Sequence, residues 1–283
     1  MIYLSAFSDE AARDLKGQIE ALQRNGISYM EIRAVDGKNA TTMTLEEAEE
    51  IYKELEKNGI KVWSVGSPLG KVGIDVDFDN DYAPVVRHVC QIAKILKTDK
   101  IRMFSFHKAY EQKEKVFENL RKMVAIAKEY GVELYHENEK KVYGDTVARV
   151  LEIMENVDGL KYVYDPANYL QTDERAEDSL NALHDKTDYF HIKDVVAETG
   201  ELVPAGYGDG MIEALVRRID GDKVLTLEPH LKIFDAYKSI DDEEMKHRFH
   251  FENNGEAFDT AVNALKNVLK KAGYKEVKGG FCK

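Results

Sequence analysis

"EKVFENLRKMVAIAKEYGVELYHE" occupies residues 114–137. It reads as a helix, a glycine stop at Gly131 and a short apolar strand that ends in ionisable residues. The same phrase recurs. "DEAARDLKGQIEALQRNG" (9–26) spaces Ala12, Leu15, Ile19 and Leu22 at helical intervals and stops at Asn25-Gly26. "TLEEAEEIYKELEKNG" (44–59) opens with Thr44 and Glu47, a capping-box pattern, and stops at Asn58-Gly59.

Eight β-rich runs alternate with these helical patterns: 2–7, 29–35, 61–67, 100–106, 132–137, 160–165, 188–194 and 223–229. Each is bounded by Gly, Asn, Asp or Pro. Strands that alternate with helices pair in parallel through right-handed crossovers. An open doubly wound sheet is one solution, but eight units in a chain of 283 residues fit a closed α/β barrel of the (β/α)8 type better. The expectation is a single domain over 1–283, closed by a last helix at 253–273. The segment 230–252 is long for a connection and reads as a lid or a subunit contact.

Composition narrows the classes of function. A hydrophobic fraction of 43% is enough for a sizeable core. No apolar run approaches the length of a membrane span, and the N-terminus shows no secretory pattern. Cys90 and Cys282 make no disulfide framework, so a reducing cytoplasm is expected. The formal charge of −12 repels polyphosphate and disfavours nucleic acid as a partner.

In a barrel, chemistry collects at the C-terminal ends of the strands. Strand five ends at Glu137, six at Asp165, seven near His191 and eight at Glu228, one metal-type ligand each at a common level. Taken singly, each acid is a strand-end cap or a surface charge; four in register define a site. Three carboxylates and an imidazole suit one divalent ion, Mn²⁺ or Mg²⁺ first and Zn²⁺ or Co²⁺ next, rather than a closed structural zinc.

Other residues have two readings each. Lys193 points the same way as His191 and serves as a substrate contact or as the ion-pair partner of a carboxylate. His230 reaches the mouth across Pro229, and His107 ends strand four beside the pocket. His136 alternates away and packs under the helices. Arg33 and Glu31 share a face and are expected to pair inside the barrel. Trp63 and Phe7 form an apolar wall for a sugar or belong to the core. The glycines of "VPAGYGDGMIEAL" (203–215) cradle an anion at a helix start or form a plain loop with Asp209 as cap.

"HENE", "YDPAN", "YFHIKD" and "LEPH", with "EIR" (31–33) and "VGSPLGK" (65–71), resemble the signatures of the xylose-isomerase-like barrels, which include sugar-phosphate isomerases and epimerases. The resemblance implies that Glu137, Asp165, His191 and Glu228 bind one divalent cation, with Glu137 and Glu228 also transferring protons through a metal-stabilised enediolate. Asn168 stands where the ketose 3-epimerases carry a histidine and is read, with Lys193, His107 and His230, as a substrate contact. "DPAN…HIKD…LEPH" also resembles barrels that act on 3-keto-glycosides. The leading expectation is therefore an isomerase or epimerase of a small sugar, keto-sugar or sugar phosphate. The alternative is a lyase that eliminates from a keto-glycoside or dehydrates a keto-polyol. An apurinic-site endonuclease is disfavoured by charge, and a non-catalytic sugar-binding subunit by the intact ligand set. The partner is a small carbohydrate, with a homo-oligomer or a second subunit left open.

Overall fold

Each expected strand forms, and the eight close on themselves. In the computed structural model, which describes residues 1–234, 246 and 248–283, they are β1 (Ile2–Ala6), β2 (Tyr29–Ile32), β3 (Lys61–Gly66), β4 (Lys100–Met103), β5 (Glu133–Glu137), β6 (Lys161–Tyr164), β7 (Tyr189–Ile192) and β8 (Lys223–Leu227). They pair in sequence order, all parallel, and β8 returns to β1 from Ile2↔Lys223 to Ala6↔Leu227. This is a (β/α)8, or TIM, barrel. Among the described residues the longer helices between and after the strands are α1 (Leu15–Arg24), α2 (Leu45–Lys57), α3 (Ala83–Ile95), α4 (Lys113–Glu129), α5 (Val147–Asn156), α6 (Ala176–Leu183), α7 (Ile212–Arg218) and α8 (Asn254–Lys271).

Local chemistry sets these boundaries. The capping box at α2 is complete: Glu47 N donates to Thr44 Oγ1 at 3.2 Å and Thr44 N to Glu47 Oε2 at 2.9 Å. The first helix is shorter than its sequence pattern. It begins after Asp14, whose side chain accepts from Gly17 N. Ser8–Glu10 instead forms a buried 3-10 turn, because Asp9 and Glu10 are drawn inward to a buried arginine. Several strands end two or three residues early, and the residues beyond them line the mouth. The expected lid or contact segment, 230–252, lies largely outside the described residues.

Alternation along the strands sorts the core into two layers. Outward residues pack with the helices into one large cluster that includes Ile101, Leu134, Phe190, Leu225 and Leu227. Inward residues fill the lower barrel with Tyr135, Val163, Tyr189 and Val224. Trp63 joins this lower layer, edge-on to Tyr29 at 6.2 Å and Tyr189 at 5.7 Å. It is core, not a wall at the mouth. Cys90 and Cys282 are both free thiols. No helix among the described residues is long and apolar enough to cross a membrane.

A C-terminal hairpin, Lys275–Val277 with Gly280–Cys282, caps the base of the barrel, where Phe281 pairs antiparallel with Ile2. Phe281 is buried. Phe281→Ala is expected to cost about 3–5 kcal/mol, read as a lower urea midpoint at unchanged slope. A loss below about 1 kcal/mol would show that the hairpin does not seal the core.

Candidate metal centre

Above the apolar layer the barrel interior turns polar. Glu31 on β2 forms the floor: its Oε1 accepts from Tyr189 OH at 2.9 Å and its Oε2 from Thr226 Oγ1 at 2.9 Å. The same Oε2 lies 3.2 Å from His191 Nε2. One ring nitrogen of His191 is thereby fixed, and Nδ1 is aimed at the centre, the usual way a carboxylate orients a ligating histidine. Phe7 packs edge-on against this imidazole at 5.1 Å.

The structure brings Glu137, Asp165, His191 and Glu228 together. One ligand atom from each lies within 4.8 Å of the others, and all four are buried. Nδ1 of His191 stands 2.9 Å from Glu137 Oε1 and 3.1 Å from Glu228 Oε2. Asp165 Oδ1 accepts from the N–H groups of Ala167 at 2.8 Å and Asn168 at 3.1 Å, which leaves Oδ2 facing inward. Asp165 Oδ2 and Glu228 Oε2 are buried and make no hydrogen bond, although Lys193 Nζ and His191 Nδ1 stand at 2.9 and 3.1 Å. Buried carboxylate oxygens left in this way, beside an imidazole, fit a divalent cation.

Each of the three carboxylates is also held by its own cation. Arg102 Nε lies 3.1 Å from Glu137 Oε2, and its Nη1 donates to Ser67 O at 2.8 Å. Lys193 Nζ takes Asp165. Arg33 Nη1 donates to Glu228 Oε1 at 3.1 Å. Arg33 is held in turn by Asp9, through Nε at 2.9 Å and Nη2 at 3.0 Å, and by Glu10 at 3.2 Å. Phe7 and Phe234 cover its faces at 4.3 and 4.7 Å. Glu139 pairs with Lys71 at 2.8 Å. The mouth thus buries seven carboxylates, those of Asp9, Glu10, Glu31, Glu137, Glu139, Asp165 and Glu228.

This crowding moves the protonation equilibria. Burial, together with the charges of Glu228 and Asp9, outweighs Arg33 and pushes Glu10 up to about 8. Burial likewise outweighs Lys193 and pushes Asp165 up to about 7, with Glu228 and Glu137 adding to it. Burial also disfavours charge on Glu228, but Lys193, His191 and His230 overcome it and hold that carboxyl well below the usual range. Burial disfavours a charged His191 as well, yet Glu137 and Glu31 keep its imidazole well above the ordinary value.

Of the expected substrate contacts, two adjoin the centre. Lys193 is the ion-pair partner of Asp165. His230 Nε2 lies 3.3 Å from Glu228 Oε1 and 3.4 Å from Glu10 Oε1, on a backbone at φ 47; burial pushes this imidazole down to about 4. Asn168 is buried, and its Nδ2 donates to Asn138 O at 2.8 Å, which braces the loop after β6. His107 is only partly buried, and its Nδ1 meets Lys141 O at 3.0 Å. His136 does pack under the helices, stacked on Tyr162 at 6.3 Å.

Three expectations are corrected. Arg33 and Glu31 do not pair, because Arg33 lies one inward step higher and reaches Asp9, Glu10 and Glu228. The glycine loop does not offer an open anion cradle: the Asp194 carboxylate fills it, accepting from Gly206 N at 2.8 Å, Gly208 N at 3.1 Å and Gly210 N at 2.9 Å. Asp209 does not cap α7; it accepts from Ala197 N at 2.8 Å, and Met211 holds the cap position at φ 53. Arg102, Asp9 and Glu10 were not legible as site residues. Inward parity on β4 marks Arg102, but nothing in the local pattern of 8–10 shows that this turn points into the barrel.

A closed (β/α)8 barrel with a buried Glu/Asp/His/Glu group at its C-terminal mouth defines a class of metal-site barrels. The chain belongs to the xylose isomerase-like TIM barrel family, whose profile matches residues 19–279. No curated protein matches it by sequence. Among solved structures it is similar to D-psicose 3-epimerase in the presence of D-fructose, with TM-score 0.73 and 16% identity over 96% of this chain and 99% of that one. It is also similar to the probable 3-DHS dehydratase AsbF of Bacillus anthracis, with TM-score 0.72 and 16% identity over 94% and 99%. A third is the IOLI protein with a zinc atom, with TM-score 0.72 and 18% identity over 95% and 99%. At these identities the likeness is one of fold.

Purified without chelator, the protein is expected to carry about one divalent ion per chain, and Asp165→Ala to lose it. Glu31→Gln should keep the fold and weaken metal affinity about 10–100-fold by loosening His191. Elemental analysis and metal titration decide; full occupancy in Asp165→Ala would remove that residue from the ligand set.

Proposed function

We propose that this protein is a divalent-metal-dependent isomerase or epimerase of a small sugar, keto-sugar or sugar derivative, and that it removes a carbon-bound proton next to a carbonyl. Glu137, Asp165, His191 and Glu228 would hold the ion. When bound, the ion supplies Lewis acidity to a substrate oxygen. The observation that carries the reading is the shared approach of Glu137 and Glu228 to one centre, 2.9 and 3.1 Å from the same His191 nitrogen. The far oxygen of each is held by an arginine, which fixes the orientation of the nearer one.

Glu137 and Glu228 are the groups assigned to move protons. Both are buried, each with one oxygen facing the shared centre, which is the positioning a general base needs. Lys193 and Arg33 stand beside Asp165 and Glu228 and hold the two carboxyl groups in position. The epimerases and the dehydratase among the structural neighbours support this group of reactions without choosing between them. Elimination from a keto-glycoside, or dehydration of a keto-polyol, is the second reading. It shares the first proton removal, and the buried His230 beside Glu228 gives it a further nitrogen near a leaving group.

In heavy water with a reactive ketose, deuterium should enter at the carbon beside the carbonyl, and a substrate deuterated there should react with a primary isotope effect. Glu137→Gln and Glu228→Gln should each lower turnover by about 10²–10⁴-fold while the protein remains folded. Turnover with no isotope effect and no exchange would remove proton abstraction from the mechanism. A released hydroxyl or aglycone would assign the lyase.

A further inference from the structure

The three carboxylates of the centre are each paired with a cation, but not in the same way. On Glu137 and Glu228 the arginine takes the oxygen turned away from the centre. Arg102 Nε lies 3.1 Å from Glu137 Oε2, while Oε1 faces His191 Nδ1. Arg33 Nη1 donates to Glu228 Oε1, while Oε2 faces the same Nδ1. The inner oxygen of each glutamate is thereby left for an ion. Asp165 reverses this order. Its Oδ1 accepts from the N–H groups of Ala167 and Asn168, and Lys193 Nζ stands 2.9 Å from Oδ2, the inward oxygen. The cation of this pair sits on the atom that a metal would use.

Two cations do not share one oxygen easily. A divalent ion bonds a carboxylate oxygen at about 2.1 Å. With Nζ at 2.9 Å on the same oxygen, ion and ammonium would stand no more than about 5 Å apart in a pocket that screens them weakly. The arginines are held in place by partners outside the centre, Arg33 by Asp9 and Glu10 and Arg102 by Ser67 O. Lys193 has no such anchor: among the described residues Asp165 is its one ion-pair partner, and its ammonium rides on a flexible four-carbon stem. A second acceptor is at hand. Glu139 is buried and lies outside the four-residue group, and its charge acts on Lys193 alongside those of Asp165, Glu228 and Glu137. Lys71 holds Glu139 Oε2 at 2.8 Å and Lys140 N donates to Oε1 at 2.9 Å, which leaves each oxygen a further lone pair.

We infer that Lys193 is an exchangeable counter-ion of the metal centre: it pairs with Asp165 when no divalent ion is bound, yields Oδ2 when the ion binds, and passes to Glu139. The exchange sets the metal affinity below what the four ligands alone would give. It rests on the reading of Glu137, Asp165, His191 and Glu228 as ligands and adds a residue that competes with the ion.

The test uses the full-length protein, stripped with chelator and titrated with Mn²⁺ by calorimetry at one fixed pH, with circular dichroism as the check on folding. Lys193→Met keeps the stem and removes the charge, and should bind Mn²⁺ about tenfold more tightly than wild type, or better. Glu139→Gln should weaken Mn²⁺ binding in the wild-type background and by clearly less in the Lys193→Met background, because Glu139 acts through the lysine. A lysine that stayed in place and only repelled the ion would give the first result without this coupling. In crystals loaded with Mn²⁺, Nζ should lie within hydrogen-bond distance of Glu139 and outside that distance from Asp165 Oδ2. A folded Lys193→Met that binds Mn²⁺ no tighter than wild type overturns the exchange. So do equal losses from Glu139→Gln in the two backgrounds, or a loaded structure with Nζ still on Oδ2. The loaded structure decides by itself if Lys193→Met does not fold. If neither wild type nor Lys193→Met takes up an ion, the metal reading falls as well, whereas uptake without coupling sinks the exchange alone.

Discussion

Charge burial is the constraint on which this structure turns. An isolated carboxylate moved into a protein interior costs several kcal/mol even after relaxation, and this barrel mouth holds seven. They coexist because each is matched: Glu137 by Arg102, Glu228 by Arg33, Asp165 by Lys193, Glu139 by Lys71, and Glu31 by Tyr189, Thr226 and His191. Asp9 and Glu10 are matched by the same guanidinium that holds Glu228. The matching is incomplete, as the raised position of Glu10 shows. The remaining negative charge is what a divalent cation would relieve, so the protein keeps at its centre an electrostatic debt that favours metal binding over empty stability.

The barrel supplies the register that makes this matching work. A slip of one residue on any strand would turn its inward set to the helices. Pairing of Thr226 with His191 on β7 and β8, and of Glu137 with Val163 on β5 and β6, fixes the four ligand strands relative to one another. Tyr135, Val163, Tyr189 and Val224 then form a dry floor on which Glu31 rests. Without that packed layer, water would reach Glu31 from below and His191 would lose the hydrogen bond that fixes its ring. Packing in the lower barrel and chemistry at the mouth are consecutive steps along the same strands.

The sequence revealed the parts of this site that are periodic. All eight strands, the closed barrel and the four-residue group were legible because each depends on a local pattern and a strand end. The failures share one cause. Asp9 and Glu10 lie in a stretch with helical spacing, yet they leave the helix because Arg33, from the next strand, attracts them. The expected Arg33–Glu31 pair failed because two residues on one face of a strand sit at different heights, and their partners come from neighbouring strands. Asp194 seized the glycine loop across a gap of more than ten residues. Long-range electrostatics override local propensity where buried charge is densest.

Shared partners make the two sides of this network unequal. Arg33 serves three carboxylates, whereas each of those carboxylates answers to one arginine. Removing Glu228 would leave Arg33 still neutralised twice over. Removing Arg33 would leave Asp9, Glu10 and Glu228 facing one another in a low-dielectric pocket, and stranded buried charges are among the most destabilising changes a protein can suffer. They would answer by taking up protons, and Glu228 would lose the charge that the proposed metal binding and proton transfer require of it. The turn at Ser8–Glu10 therefore matters to the chemistry although it touches none of the four ligands directly: it holds the arginine that holds the glutamate. A loop that varied there would retune the Glu228 carboxyl without altering any of the four residues clustered at the mouth.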